Sequence, residues 1–401
     1  MTQDSLIQID DIQCDDVESD EIECEYIAIA QQFIPKNRTN PIEEVRAFGN
    51  GNINDTFLVT VRCNTLENPE ECHFILQRIN TKVFQQPQRV MQNMRIFTEH
   101  VCDRLQQQPL DRRWETPRVL HTQEGQDYWQ DGTGACWRAI SYIPDSTTFD
   151  TLQTCEQAEE VGYALGMFHN LISDLPPEKL ADTLPGFHIT PHYLQQYEAV
   201  LAHPKVNLAE SAELRYGLEF VRDRQSWATV LETAKAAGIL PLRLMHGDPK
   251  VNNVMFDHTT GKSVGMIDLD TVKPGLVHYD IGDCLRSGCN PRGEETEQWE
   301  SVAFDLERCQ STLKGYLSVA QAFLTAEDYT YLYDAIRLIS FELGLRFLTD
   351  HLAGNVYFKV KHPEHNLIRA LVQFKLTQSI EAQEQDIRAM IQSMRSLSSR
   401  V

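Results

Sequence analysis

Near residue 145 the apolar spacing of this chain changes period, from the two of a half-buried strand to the 3.6 of a helix with one apolar face. Before that point VRAFGNGNINDTFLVTVRC (45–63) reads as strand, Gly/Asn-rich turn and strand, with Phe57, Val59 and Val61 alternating. HFILQRIN (73–80) and CWRAISYIPD (136–145) read as further strands, 86–106 as a helix, and folded sequence starts near Glu25 with the apolar run Tyr26–Ile34. After it, Thr154 and Gln157 form a capping box, and Val161, Ala164, Leu165, Phe168 and Ile172 keep helical spacing. Segments 191–201, 209–237, 298–323 and 327–350 also read as helices, the last with a stripe of Leu332, Ile336, Ile339, Leu343 and Phe347. A chain of 401 residues, 42% of them apolar, can fill two cores. The expected fold class is α+β: a tail over 1–25, a β-rich lobe over 26–145 and a larger helical lobe over 146–401.

Charge narrows the partners. The 36 basic residues face 58 acidic ones, a net charge of −22, which repels nucleic acid and anionic membrane. A local basic pocket can still hold one phosphorylated ligand. Ten acidic residues crowd into positions 1–25 with no Lys or Arg before Lys36, which predicts a solvated tail. No apolar run reaches 18 residues, and the N-terminus lacks the basic start and apolar stretch of a secretory signal. The ten cysteines include no Cys-x-x-Cys pair and no zinc-finger spacing, so free thiols and a cytoplasmic location are expected.

The stretch that carries chemistry is LMHGDPKVNNVMFDHTTGKSVGMIDLD, 244–270. Val254–Phe256 and Val264–Ile267 read as two strands of a hairpin turning through 257–262. A turn centred between Thr260 and Gly261 sets Asn253 opposite Asp268, with Asp248 on the loop entering the first strand. Hard oxygen donors gathered in this way suit Mg²⁺ with substrate phosphates, and phosphoryl transfer needs such a metal and a carboxylate to orient the accepting hydroxyl. His246, Asp248 and Asn253 repeat the H-x-D-x-x-x-x-N spacing of a kinase catalytic loop.

HGDPKVNN followed by MIDLD resembles the aminoglycoside phosphotransferase and choline kinase superfamily. FGNGNINDTFLV (48–59), FILQRIN (74–80), IDLDTVKPGLVHYDIGDCLR (267–286) and FELGLRFLTDHLAGNVYF (341–358) resemble the N-acetylhexosamine 1-kinases within it. The resemblance implies a bilobal protein-kinase-like fold and transfer of the ATP γ-phosphoryl group, with Mg²⁺, to a sugar hydroxyl. By it Asp248 is the catalytic base, Asn253 and Asp268 hold Mg²⁺, and Gly49, Asn50, Gly51 and Asn52 cover the nucleotide phosphates. The family places Lys or Arg on the strand that here reads Leu76-Gln77-Arg78, and Arg78 is the residue favoured to face the cleft. Arg346 is a candidate to fork onto the sugar, against the reading of an arginine at the core edge; Tyr279 and Arg286 are weaker candidates.

Other residues have plainer readings. Asp280 reads as a cap or brace for the catalytic loop and His246 as a second brace, while His169 reads as a packed helix histidine. Asp270 assists the metal or acceptor, or is a hydrogen-bonded loop acid; in an extended segment it shares a side with Asp268. The rival acceptors are an aminoglycoside, choline or another sugar, and a cationic acceptor would require acids around it. A pseudokinase would be expected to lose one of Asp248, Asn253 or Asp268, and a protein kinase would carry an Ala-Pro-Glu motif after MIDLD.

Overall fold

Val59 and Val61 fall on one face of a sheet, as their alternation predicts, and a short helix covers that face. The computed structural model describes residues 25–36, 41–49, 53–64, 69–203 and 211–398, so the tail expected over 1–25 lies almost wholly outside them. Helix α1 (25–31) precedes strands β1 (Ile42–Ala47), β2 (Asp55–Asn64) and β3 (Pro69–Ile79). Helix α2 (Pro87–Gln107) leads to β4 (Val119–Leu120), β5 (Trp129–Gln130) and β6 (Cys136–Ser141). These strands form one antiparallel sheet in the order β1-β2-β3-β6-β4, with β5 on β6. Ile29, Ala30, Phe33 and Ile34 pack on Val45, Val59, Phe74, Leu76 and Trp137 from one side of the sheet. Burying each such side chain stabilises by about 1.5–3 kcal/mol.

The chain divides into two units, and the break falls inside α2: one unit holds residues 1–91 and 117–142, the other 92–116 and 143–401. The second unit is mostly helical. It begins with β7 (Ser146–Thr147) and α3 (Cys155–Leu171), whose N-terminus carries the expected capping box, Gln157 N–H to Thr154 Oγ1 at 3.2 Å and Thr154 N–H to Gln157 Oε1 at 3.4 Å. Next come α4 (Thr190–Leu201), α5 (Ala212–Arg224) and α6 (Val230–Ala236). The helix expected over 209–237 is therefore two helices. Its break follows Arg224, where a one-turn helix (Gln225–Trp227) intervenes; the Arg224 guanidinium donates to Glu381 at 2.8 Å and lies 3.7 Å from the centroid of the Phe220 ring.

Strands β8 (Arg243–Met245), β9 (Val254–Asp257), β10 (Ser263–Met266) and β11 (Lys273–Gly275) pair as β10-β9-β7 and β11-β8. Helices α7 (Val277–Gly288), α8 (Leu306–Ala320), α9 (Ala326–Leu352), α10 (His365–Ala382) and α11 (Glu384–Ser398) complete the chain. Helix α8 starts later than expected because Asp305 caps it, accepting from Arg308 N–H at 3.0 Å. A Cβ on Gly162 of α3 would meet the Thr312 carbonyl of α8 at 1.9 Å, so these helices touch backbone to backbone. No helix among the described residues is long and apolar enough to cross a membrane. Among the described residues six cysteines are free thiols, but Cys72 is disulfide-bonded, a correction to the expectation of free thiols throughout.

Candidate active site

Between β8 and β9 the backbone of His246, Gly247 and Asp248 has no strand partner, so side chains must satisfy it. Asp280, in the first turn of α7, accepts both His246 N–H at 2.6 Å and Gly247 N–H at 2.8 Å. Thr271 Oγ1 donates to the His246 carbonyl at 2.8 Å, and His188 Nε2 donates to the Gly247 carbonyl at 2.8 Å. Asp248 N–H donates to His246 Nδ1 at 3.3 Å, and Asn253 Nδ2 to the Asp248 carbonyl at 2.7 Å. All six polar backbone groups are thus engaged, which fixes where the Asp248 side chain starts. Gly247 is required here: its φ is +87°, and a Cβ would press on Thr271 at 2.8 Å.

The expected braces are present. His246 donates from Nε2 to the Ile267 carbonyl at 3.0 Å; burial lowers its pKa, which keeps the ring neutral with Nδ1 free to accept. His169 is buried on α3, its Nε2 2.8 Å from Asp280 and its Nδ1 3.0 Å from the Tyr316 hydroxyl. It therefore supports the residue that supports the loop. Burial acts to raise the Asp280 pKa, but the His169 bond, the nearby rings and the His246 N–H hold it below the usual carboxylate range.

The hairpin differs from its expected register. Its pairing shifts between Ser263 and Gly265, and Ile267 N–H donates to the Asn253 carbonyl at 2.9 Å. Asn253 thus faces Ile267, and Asp268 is the next residue. The turn is centred one residue earlier than expected, with Asp257 N–H donating to the Lys262 carbonyl at 2.9 Å, and the bulge recovers one of the two positions this costs. Asp268 then adopts φ 63°, ψ 58°, a left-handed conformation that Asp tolerates better than most residues. Its side chain is exposed, whereas Asp270, on the one-turn helix Leu269–Thr271, is 2% exposed. The expectation that the two carboxylates share a side fails because the segment is not extended.

Lys250 is a site residue that the motif comparison passed over. Its Nζ donates to Asp248 Oδ2 at 2.7 Å, and Asn253 Nδ2 reaches the same oxygen at 3.2 Å. Burial works to raise the Asp248 pKa, but Lys250, with His246 and Arg286, outweighs it and holds the carboxyl below its ordinary value. Burial likewise opposes the Lys250 charge, and the fields of Asp248, Asp268 and Glu294 raise its pKa regardless. One ammonium therefore sits within the fields of both acids of the motif. Its sequence signal was position, two residues after the key Asp. Among the described residues no group of three His, Cys, Asp or Glu gathers to hold a metal. The donor set of Asn253 and Asp268 consists of hard oxygens and suits Mg²⁺ only when phosphate oxygens and water complete the shell.

Of the acceptor candidates, Arg346 lines a cavity. It projects from α9 among the rings of Tyr193, Phe187 and Phe358, at 4.9, 5.3 and 5.5 Å from their centroids. The cavity has a volume of about 490 Å³, and Tyr357 and Asp350 also line it. Burial opposes the Arg346 charge, while Tyr193, Tyr357, Glu342 and Asp248 favour it and raise its pKa. Asp350 holds the cavity rim: its carboxylate accepts the N–H groups of Val356, Tyr357 and Phe358 at 2.9, 2.8 and 3.0 Å. Tyr279 lies in the core instead, its ring stacked on His188 and its hydroxyl donated to Glu232. Arg286 is buried too, donating to Asp283 at 2.7 Å and Glu294 at 3.0 Å.

In the first unit Gly49, two residues after β1, has a φ of 75°, and Asn50, Gly51 and Asn52 lie outside the described residues. Arg78 and Gln77 lie on opposite faces of the sheet. Arg78 pairs with Asp55 at 2.5 Å and sits by Trp137 on the face that α1 covers. Gln77 points to the opposite face, where Arg138 Nε donates to its Oε1 at 2.9 Å. The cation on the Gln77 side of the sheet thus comes from β6.

Residues 44–310 match the phosphotransferase enzyme family. Among solved structures, the chain is similar to an aminoglycoside phosphotransferase from Alicyclobacillus acidocaldarius subsp. acidocaldarius DSM 446, at 15% identity and a TM-score of 0.54 over 93% of this chain and 96% of that one. It is similar to choline kinase from Cryptosporidium parvum Iowa II, at 15% identity and a TM-score of 0.54 over 94% and 98%. A spectinomycin phosphotransferase in complex with ADP and spectinomycin matches at 12% identity and a TM-score of 0.51 over 90% and 98%. At these identities the likeness is one of fold, a mixed α+β architecture with a β-sheet N-terminal part and a helical C-terminal part. The family match runs from β1 into α8 and takes in the braced loop, Lys250 and the hairpin: the chain belongs to the phosphotransferase enzyme family.

Proposed function

We propose that this protein transfers the γ-phosphoryl group of ATP, with Mg²⁺, to the anomeric hydroxyl of an N-acetylhexosamine. One observation carries the reading: Asp248 is held by a fully bonded loop next to Lys250, and its field reaches Arg346 in the wall of an aromatic cavity. In the proposed reaction Asp248 accepts the hydrogen bond of the sugar hydroxyl and orients its lone pair at the phosphorus. Its lowered pKa suits orientation better than early proton removal, and a loose phosphoryl-transfer transition state asks for little more. Lys250 neutralises charge beside the transferring group. Bound through Asn253 and Asp268, Mg²⁺ would supply charge neutralisation on the nucleotide phosphates.

Gly49, Asn50, Gly51 and Asn52 are proposed to cover those phosphates. On the sheet, α1 occupies the Arg78 face, so the phosphate-directed cation is assigned to Arg138 beside Gln77. The cavity favours a neutral polyol over a cation. Its rings already surround the Arg346 guanidinium, and its carboxylate Asp350 is spent on backbone N–H groups. An aminoglycoside or choline would meet positive charge there. Nucleotide consumption by the purified protein should be measured against sugars, aminoglycosides, choline and ethanolamine, with the product read by phosphorus NMR. An anomeric phosphate of an N-acetylhexosamine is expected. Turnover confined to cationic acceptors would sink the sugar assignment.

A further inference from the structure

His188 stands between the cavity and the braced loop, and both nitrogens of its ring face oxygens. Nε2 lies 2.8 Å from the Gly247 carbonyl, and Nδ1 lies 2.9 Å from Oε1 of Glu342 on α9. A carbonyl only accepts, so Nε2 must carry a proton. A neutral ring would then turn the bare lone pair of Nδ1 toward a carboxylate, two acceptors in contact. Thr190 Oγ1 donates to the other oxygen of Glu342 at 2.6 Å, as it would to an ionised group. His188 and Glu342 are 4% and 1% exposed, so bulk solvent does not reach the contact to relieve the conflict. The backbone points the same way: φ at His188 is 62°, which a β-carbon-bearing residue adopts only where its surroundings hold it.

We infer that His188 is a positioning residue, a buried imidazolium that bridges the Gly247 carbonyl to Glu342 and so locks the acceptor cavity to the Asp248 loop. Its neighbour Phe187 lines the cavity, and Arg346 lies one helical turn beyond Glu342. The charge is supported from every side. Glu342 contacts it from α9, and the field of Asp283 reaches it from α7. The Tyr279 ring stacks from α7 at 5.6 Å, and the Phe187 ring lies at 4.1 Å. Burial opposes the charge, yet these acids and the Gly247 carbonyl raise the ring's pKa above its ordinary value. The link to turnover rests on the kinase reading above; the protonation state does not.

The test uses whole protein labelled with ¹⁵N-histidine, and the signal lost in His188→Asn identifies the ring. Both nitrogens of His188 should appear protonated at pH 7–8. In Glu342→Gln the amide can donate to Nδ1, so the ring should carry one proton and titrate nearer the ordinary value of about 6.5. That variant should lower kcat by about ten- to a hundredfold, the scale of a small misplacement of reacting groups, with the ATP KM unchanged. Its residual activity should also gain a pH dependence near neutrality that wild type lacks. A ring with one protonated nitrogen in wild type, accepting from a protonated Glu342, would overturn the inference. So would a Glu342→Gln enzyme with the wild-type pH profile. If no acceptor is phosphorylated, the kinase reading fails while the nitrogen spectra still decide the imidazolium.

Discussion

Lys250 Nζ and Asp248 Oδ2 are 2.7 Å apart, an ion pair two residues long at the centre of the proposed chemistry. In a loop this tightly bonded the pair has little freedom to separate. Asp248 therefore stays ionised well into acid, and its lone pairs point where the backbone directs them.

Removing either partner should be visible in rate. Asp248→Asn should keep the fold and nucleotide affinity and lower kcat by about 10² or more. In Lys250→Ala the largest influence opposing the burial of Asp248 is gone and only His246 and Arg286 still offset it, so its pKa rises. The rate needs the ionised form, so the acid limb of kcat/KM should move to higher pH. Turnover within a few-fold of wild type in Asp248→Asn, or an unmoved acid limb in Lys250→Ala, would contradict these roles.

The metal can be titrated. Asp268→Ala should abolish Mg²⁺-dependent turnover, because the bridging ion needs a carboxylate ligand. Asn253→Ala should raise the Mg²⁺ requirement, and it also frees the Asp248 carbonyl that Nδ2 holds at 2.7 Å. Rate against Mg²⁺ concentration separates the two variants. Superimposable curves for both and wild type would remove these residues from the metal site.

Arg346→Ala should raise the sugar KM and leave the ATP KM nearly unchanged. Loss of one charge-assisted contact amounts to about 1.5–3 kcal/mol, or roughly 10- to 150-fold in kcat/KM for the sugar. Arg346→Lys should recover little, because an ammonium cannot make a planar fork. A lowered Tm with normal constants for both substrates would mean that Arg346 only fills its ring of aromatics.

Asp280→Ala should cost about 3–5 kcal/mol, since it strips two backbone N–H groups and His169 of their buried partner. The folded pKa of Asp280 is depressed, so its contribution is present above the unfolded carboxylate value of about 3.9 and is lost as pH falls through the folded one. Wild-type Tm should thus fall more steeply in acid than that of the variant. Parallel melting curves at pH 3–7 would show that Asp280 does not carry this linkage.

The local signals in the sequence translated directly into structure. The Thr154–Gln157 box needs only four adjacent residues, and the alternation around Val59 only a strand. The bracing roles of Asp280 and His246 were legible from their places beside a motif. What was hidden depends on long-range geometry. His188 meets Gly247 and Glu342 across 59 and 154 positions, so no spacing rule could join them. The register of the β9–β10 hairpin rests on a turn centred between Thr259 and Thr260, one residue before the expected place, and on a bulge that gives back one position; the turn residues announce neither. Helix α10 buries Asn366, Arg369 and Gln373 along with Leu371 and Phe374, and so offers no one-sided stripe to read.

Residues 92–116 group with the helical unit, although the chain then returns to the sheet for 117–142. Arg112 reaches the Ser263 carbonyl at 2.7 Å across 151 positions, and Glu115 N–H meets the Val264 carbonyl at 2.6 Å. During synthesis this segment leaves the ribosome long before the hairpin it must join, and it waits unpaired until that hairpin is made. The sheet unit likewise cannot close until β6 has emerged. Proteolysis meets the same threading: a nick after Tyr142 strands Arg112 and Glu115 on the wrong fragment, and parting the units cleanly takes three cuts, after Met91, Thr116 and Tyr142.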